Sequence, residues 1–203
     1  MPRLETARLP GVLQPDWPAP PGVQALFTTR AGGVSQVPFE TLNLGDHVGD
    51  DPQAVAANRM VLASALGVRP VFLQQVHGTE VALLSATTPD STQADASLST
   101  KPGLACTVMV ADCLPVLFTD TRGSQVAAAH AGWRGLTGPA GRGVLEATFD
   151  AMVAQARQRD PQRSRKAVAL DTLVWLGPCI GPTAFEVGPE VRAASIATDP
   201  AAA

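Results

Sequence analysis

Residues 104–133 read LACTVMVADCLPVLFTDTRGSQVAAAHAGW, and no other stretch limits the fold so tightly. LACTVMVAD is apolar enough for a buried strand. Cys113-Leu114-Pro115 breaks it, VLFTD resumes, Thr121-Arg122-Gly123 turns the chain, and QVAAAHA returns as another strand. Strands joined by so short a turn run antiparallel, and a strand built of alanines lies close in its sheet. The apolar run is interrupted by Asp112 and Pro115, and the start MPRLETARLPG lacks an apolar stretch. The sequence therefore predicts neither a membrane span nor an export signal.

The flanking segments complete an uneven alternation of helix and strand. Asp51-Pro52 has the form of an N-cap with proline at the first helical position. Val55, Leu62 and Leu66 share a face and Gly67 is a stop, so a helix is predicted over about 52–66. PVFLQQV, a His77-Gly78-Thr79 turn and EVALL read as a hairpin or a bent strand. Leu145, Phe149 and Met152 recur at helical spacing before Ala156, RQRDPQRSRK (157–166) reads as a solvated loop, and LVWLGP returns to strand character. Antiparallel neighbours favour an α+β domain over a doubly wound one.

A chain of 203 residues, 45% of them apolar, fits one domain with a sizeable core. Fifteen basic and 18 acidic residues give a net charge of −3, with no basic stripe interleaved with aromatics, so nucleic acid is not an expected partner. The odd count of three cysteines, without a leader, suits reduced thiols and a cytoplasmic location. No heptad pattern argues for assembly, and a monomer is expected.

The phosphate-loop, dinucleotide, HExxH and CxxC signatures are all absent. What remains is a set of residues at predicted strand ends: His77, Cys113 and His130. Two imidazoles and a thiolate are a three-ligand set for zinc that leaves a fourth position open, as in catalytic sites. The same residues also permit a metal-free pair, with Cys113 as nucleophile, His130 as base and Asp112 or another acceptor orienting the ring. Plain packing is the third reading, with the thiol as a small hydrophobe and the histidine hydrogen-bonded in the core. Cys106 reads as core, Cys179 as a loop residue and His47 as a loop residue that faces substrate. Arg30 and Arg134 are isolated cations in glycine-rich loops that suit either solvent or an anion.

FTTRAGGVS (27–35), NLGDHVGDD (43–51), QQVHGTEV (74–81), ADCLPVLF (111–118), AAAHAGWRGL (127–136) and GPCIGPTAFEVG (177–188) together resemble the YfiH family, also called the laccase-domain or polyphenol oxidase family. The resemblance implies an α+β fold with a central β-sandwich flanked by helices, related to that of a toxin with a Cys-His deamidase site. It implies zinc on His77, Cys113 and His130, with copper as the other ion. The implied activity is purine nucleoside phosphorylase: adenosine, inosine, guanosine or methylthioadenosine plus phosphate would give free base and ribose 1-phosphate. Deamination of adenosine is implied beside it. Arg30 in the TTR loop is the anion-binding candidate on this resemblance, with Arg134 the weaker one and Asn43 a further substrate-binding candidate. A Cys-His hydrolase and a copper polyphenol oxidase are the alternatives, although three histidines are few for a multi-copper set. Residues 1–203 are expected to form a single domain of this type that stops short of the family's C-terminal segment with its SYRRD-like motif. The loop at 183–185 also differs, with Thr183-Ala184-Phe185 where the family carries a second Cys or Ser.

Overall fold

A computed structural model describes residues 9–202. Its centre is a five-stranded sheet of β3 (Val81–Leu83), β5 (Ala96–Ser99), β8 (Val126–Ala131), β7 (Leu114–Asp120) and β9 (Thr172–Leu176), in that spatial order. The pairs β5–β8, β7–β8 and β7–β9 are antiparallel, and β3 joins β5 in parallel. Two short parallel pairs stand apart: β1 (Arg69–Val71) with β6 (Leu104–Cys106), and β2 (Leu73–Gln74) with β4 (Thr92–Gln93). The helices are α1 (Pro52–Leu66), α2 (Trp133–Thr137), α3 (Val144–Arg159), α4 (Arg165–Asp171) and α5 (Pro189–Thr198). The α+β expectation with flanking helices holds, and where a central β-sandwich was expected the described strands form one five-stranded sheet and two short pairs. No helix among the described residues is long and apolar enough to cross a membrane.

Each helix boundary has a local cause. At the start of α1 the Asp51 carboxylate accepts the Gln53 N–H at 2.9 Å; at its end Gly67, with φ 64, adopts the left-handed conformation and donates to the Ala63 carbonyl. The predicted loop at 157–166 is shorter than expected, because α3 runs on to Arg159 and Ser164 caps α4 by accepting the Ala167 N–H at 3.1 Å. The clustered charges of that stretch are partnered, Arg163 by Asp171 and Arg165 by Asp150.

Period-2 geometry sorts β8 into two faces. Ala127, Ala129 and Ala131 pack with Val116, Phe118, Val144 and Met152, so methyl side chains let α3 lie close over the sheet. His130 sits on the opposite face. The residues read as a hairpin at 70–84 form none: β1, β2 and β3 each pair in parallel with a different later strand, and the intervening turn is committed to another contact. LACTVMVAD contributes only Leu104–Cys106 as strand.

The layer under α3 makes one expectation. Met152→Ala, at a site with 0% exposure, should lower stability by about 2–5 kcal/mol in urea unfolding. Leu83→Ala on the sheet edge, 54% exposed, should change it by no more than about 0.5 kcal/mol. Equal losses would contradict the assignment of the core.

Candidate metal centre

Strand register builds the site. Ala96 lies opposite Ala129, so Asp95, one residue earlier, falls opposite His130 on the face away from α3. The His130 backbone N–H donates to the Asp95 carbonyl at 2.7 Å, and the ring Nδ1 lies 2.9 Å from Asp95 Oδ1. Both side chains are buried.

The Asp95 carboxylate also closes the turn after β2. Oδ1 accepts the His77 N–H at 2.8 Å, while Oδ2 accepts those of Gly78 at 2.7 Å and Val76 at 3.1 Å. His77 has a φ of 60, a conformation that non-glycine residues seldom adopt, and this cradle holds it there. The turn carries the His77 ring to His130, with centroids 4.7 Å apart and planes 74° apart. Cys113, in the break before β7, places Sγ 3.8 Å from His77 Nε2. Gly132 completes the approach: a Cβ there would lie 2.6 Å from His77 Cδ2 and 3.1 Å from Cys113 Sγ.

One donor atom from each of His77, Cys113 and His130 lies within 4.8 Å of the others. Tetrahedral zinc, with bonds of about 2.0–2.1 Å to nitrogen and ~2.3 Å to sulfur, keeps neighbouring donors roughly 3.3–3.6 Å apart. The set thus needs only a slight contraction to grip an ion. His77 is exposed, Cys113 half-buried and His130 buried, so the centre opens to solvent on one side. Two nitrogens and one sulfur suit zinc or copper.

The electrostatics agree with a cation. Burial pushes the Asp95 carboxyl up, but the His130 hydrogen bond and three backbone N–H bonds outweigh it and hold it below the ordinary range, so it is ionised. Burial, helped by the His130 ring, lowers His77 below the ordinary 6.5, which leaves its lone pair available near neutral pH. Burial first, then the charges of Asp112 and Asp95, push the Cys113 thiol up. Without a neighbouring cation that sulfur keeps its proton, which disfavours a metal-free nucleophile and suits a thiol ionised by the metal it binds.

The other predicted residues divide. Asp112 does not orient a ring; that task falls to Asp95, because the β5–β8 register puts Asp95 beside the imidazole, whereas Asp112 engages Ile180 through its carbonyl. Arg134 stacks its guanidinium 4.3 Å above the Trp133 ring, and its charge, like that of His47, acts on His77. Arg30 turns to Glu40, donating to its carbonyl at 2.7 Å and lying 3.6 Å from its carboxylate. Asn43 ties its own loop, donating to Asp50 Oδ2 at 2.9 Å and to the Gly45 carbonyl at 3.1 Å. Arg30, Asn43 and His47 nevertheless line one cleft of about 1140 Å³, which Ala111, Leu117 and Trp175 also line. Cys179 is exposed and outside the cluster; Cys106 bonds the Val126 carbonyl at 3.5 Å, and burial raises its thiol to about 12. Sequence reasoning passes over Asp95 and reads Gly132 only as a turn residue, not as the point of close approach to His77 and Cys113. The available signal for Asp95 is an acid between two alanines, QADASL, at the head of a buried strand.

Residues 24–203 match a family described as multi-copper polyphenol oxidoreductase laccase. The chain is 54% identical over 185 residues to a protein of Pseudomonas aeruginosa named purine nucleoside phosphorylase PA4543, covering 91% of this chain and 69% of the relative. It is 49% identical over 190 residues to purine nucleoside phosphorylase YfiH of Escherichia coli K12, covering 93% and 71%. Among solved structures it resembles Neisseria meningitidis protein NMB0706, with a TM-score of 0.81, 43% identity and coverage of 94% and 72%.

Gly132→Ala tests the packing of this centre. The backbone at Gly132, φ −71, admits alanine, so the effect is steric. Metal affinity should fall on the order of tenfold or more with the fold intact by circular dichroism. Unchanged affinity would contradict the described approach of His77 and Cys113.

Proposed function

The chain belongs to the multi-copper polyphenol oxidoreductase laccase family, and from that premise we propose that it is a zinc-dependent purine nucleoside phosphorylase that also deaminates adenosine. The observation that carries this reading is the convergence of His77, Cys113 and His130 within 4.8 Å at a site open to solvent through His77. The phosphorylase names of relatives 54% and 49% identical support the substrate class: adenosine, inosine, guanosine or methylthioadenosine, with phosphate. His77, Cys113 and His130 would hold the ion, zinc in preference to copper. Bound zinc would supply a Lewis acid that works at neutral pH.

The residues of the chain supply binding and orientation. In phosphorolysis the bond from C1′ to the base breaks as a phosphate oxygen bonds to C1′, with positive charge growing on the sugar. The Arg134 guanidinium, held over Trp133 and acting on His77, would bring the anionic phosphate to that carbon. Arg30 is a weaker anion ligand because Glu40 offsets its charge. Asn43 shapes the loop that walls the cleft, whose volume exceeds what a nucleoside needs. The burial of His130 and Asp95 keeps water from the inner side of the centre.

Two competing readings rank lower. Multi-copper oxidation requires several clustered coppers, and this chain has three histidines in all. A Cys-His hydrolase draws support from the 3.8 Å contact between Cys113 and His77, but the thiol is pushed up, away from the ionised form a nucleophile needs.

His77→Ala, Cys113→Ala and His130→Ala should each lose most bound zinc by elemental analysis. Each should also lose about 100-fold or more of phosphate-dependent base release. A triple variant that keeps its zinc would overturn the assignment. Activity that survives a strong chelator, with an adduct at Cys113 from a thiol reagent, would favour the hydrolase.

A further inference from the structure

We propose that Asp95 is the positioning residue of this centre, selecting the His130 tautomer whose Nε2 is free to bind a metal while fixing His77 through its backbone. The proposal rests on the metal-centre reading for its consequence, but the tautomer itself is a separate claim about this chain.

Donor counting at the carboxylate fixes the tautomer. Three backbone N–H groups and one ring nitrogen surround one carboxylate: the His77 N–H and His130 Nδ1 at Oδ1, and the Val76 and Gly78 N–H groups at Oδ2. Three of them are backbone amides, which can only donate, so both oxygens act as acceptors. His130 Nδ1 must then carry the proton, and a neutral ring keeps its lone pair on Nε2. Asp95 has 0% exposure, so no water competes for these bonds. One side chain thereby sets two ligands that are 53 positions apart in sequence, His77 by its main chain and His130 by its ring. A carboxylate behind a ligating histidine also raises the basicity of the ligand nitrogen.

Asp95→Asn separates this role from simple packing, because an amide nearly preserves shape. If its NH2 occupied the Oδ2 position it would confront two backbone donors, those of Val76 and Gly78. At the Oδ1 position it confronts only the His77 N–H, and His130 can respond by accepting at Nδ1. The second arrangement is favoured, and it moves the ring proton to Nε2, the atom meant for the metal.

The test uses the full chain. Nitrogen-15 NMR of the metal-free protein at mildly alkaline pH should find His130 protonated at Nδ1 in the wild type and at Nε2 in Asp95→Asn. Competition with a chromogenic chelator should show zinc affinity reduced by about 10- to 100-fold in the variant. Wild-type His130 protonated at Nε2 would overturn the proposal even if the variant failed to fold. So would a variant that melts at a lower temperature but keeps the Nδ1–H tautomer and wild-type zinc affinity. If the tautomer inverts as stated while the wild type binds no zinc, the metal-centre reading fails and the assignment of the tautomer to Asp95 stands.

Discussion

Asp95 holds an ionised carboxylate with none of its surface exposed. A buried charge of this kind persists only when its oxygens are fully engaged, and here three backbone N–H donors and the His130 ring nitrogen converge on two oxygens. These bonds tie the turn at 76–78 to the head of β5 and the end of β8, two strands that the sheet already pairs. Loss of the carboxylate would leave three partly buried backbone donors without this partner, each at a cost of up to about 1 kcal/mol where water can replace it.

The register of the central sheet makes that convergence available. With Ala96 opposite Ala129, the cores of β5 and β8 face α3 and their alternate residues face the cleft side. A slip of one residue would turn His130 into the alanine and methionine packing under α3 and turn methyl groups outward, so the apolar layer enforces the geometry of the site. The alanines of β8 serve both faces. They let α3 pack close on one side, and by keeping the strand central they leave its end, Ala131-Gly132, next to Cys113 and His77.

Much of this was legible along the chain because it is local. The N-cap at Asp51, the stop at Gly67 and the helical spacing through Met152 each act over a few residues, and the structure follows them. His77, Cys113 and His130 could be placed at strand ends because turn residues adjoin each of them. Partner choice was not legible. The alternation in PVFLQQV and EVALL is compatible with a hairpin, and only the long-range parallel pairings of β1, β2 and β3 decide against it. Asp95 escaped notice because its function depends on the residue across the sheet, and Asp112, closer to Cys113 in sequence, looked the better orienting group. Arg30 and Arg134 looked alike as cations beside glycines; what separates them is a carboxylate beside one and an indole beneath the other.

The ligand set is the centre of the proposed chemistry, and X-ray absorption at the zinc edge of the zinc-loaded full chain reads it directly. The predicted first shell has one sulfur at about 2.3 Å from Cys113 and two imidazole nitrogens at ~2.0–2.1 Å from His77 and His130, with one further light atom completing four. A shell of nitrogen and oxygen alone, with no sulfur, would contradict the central claim.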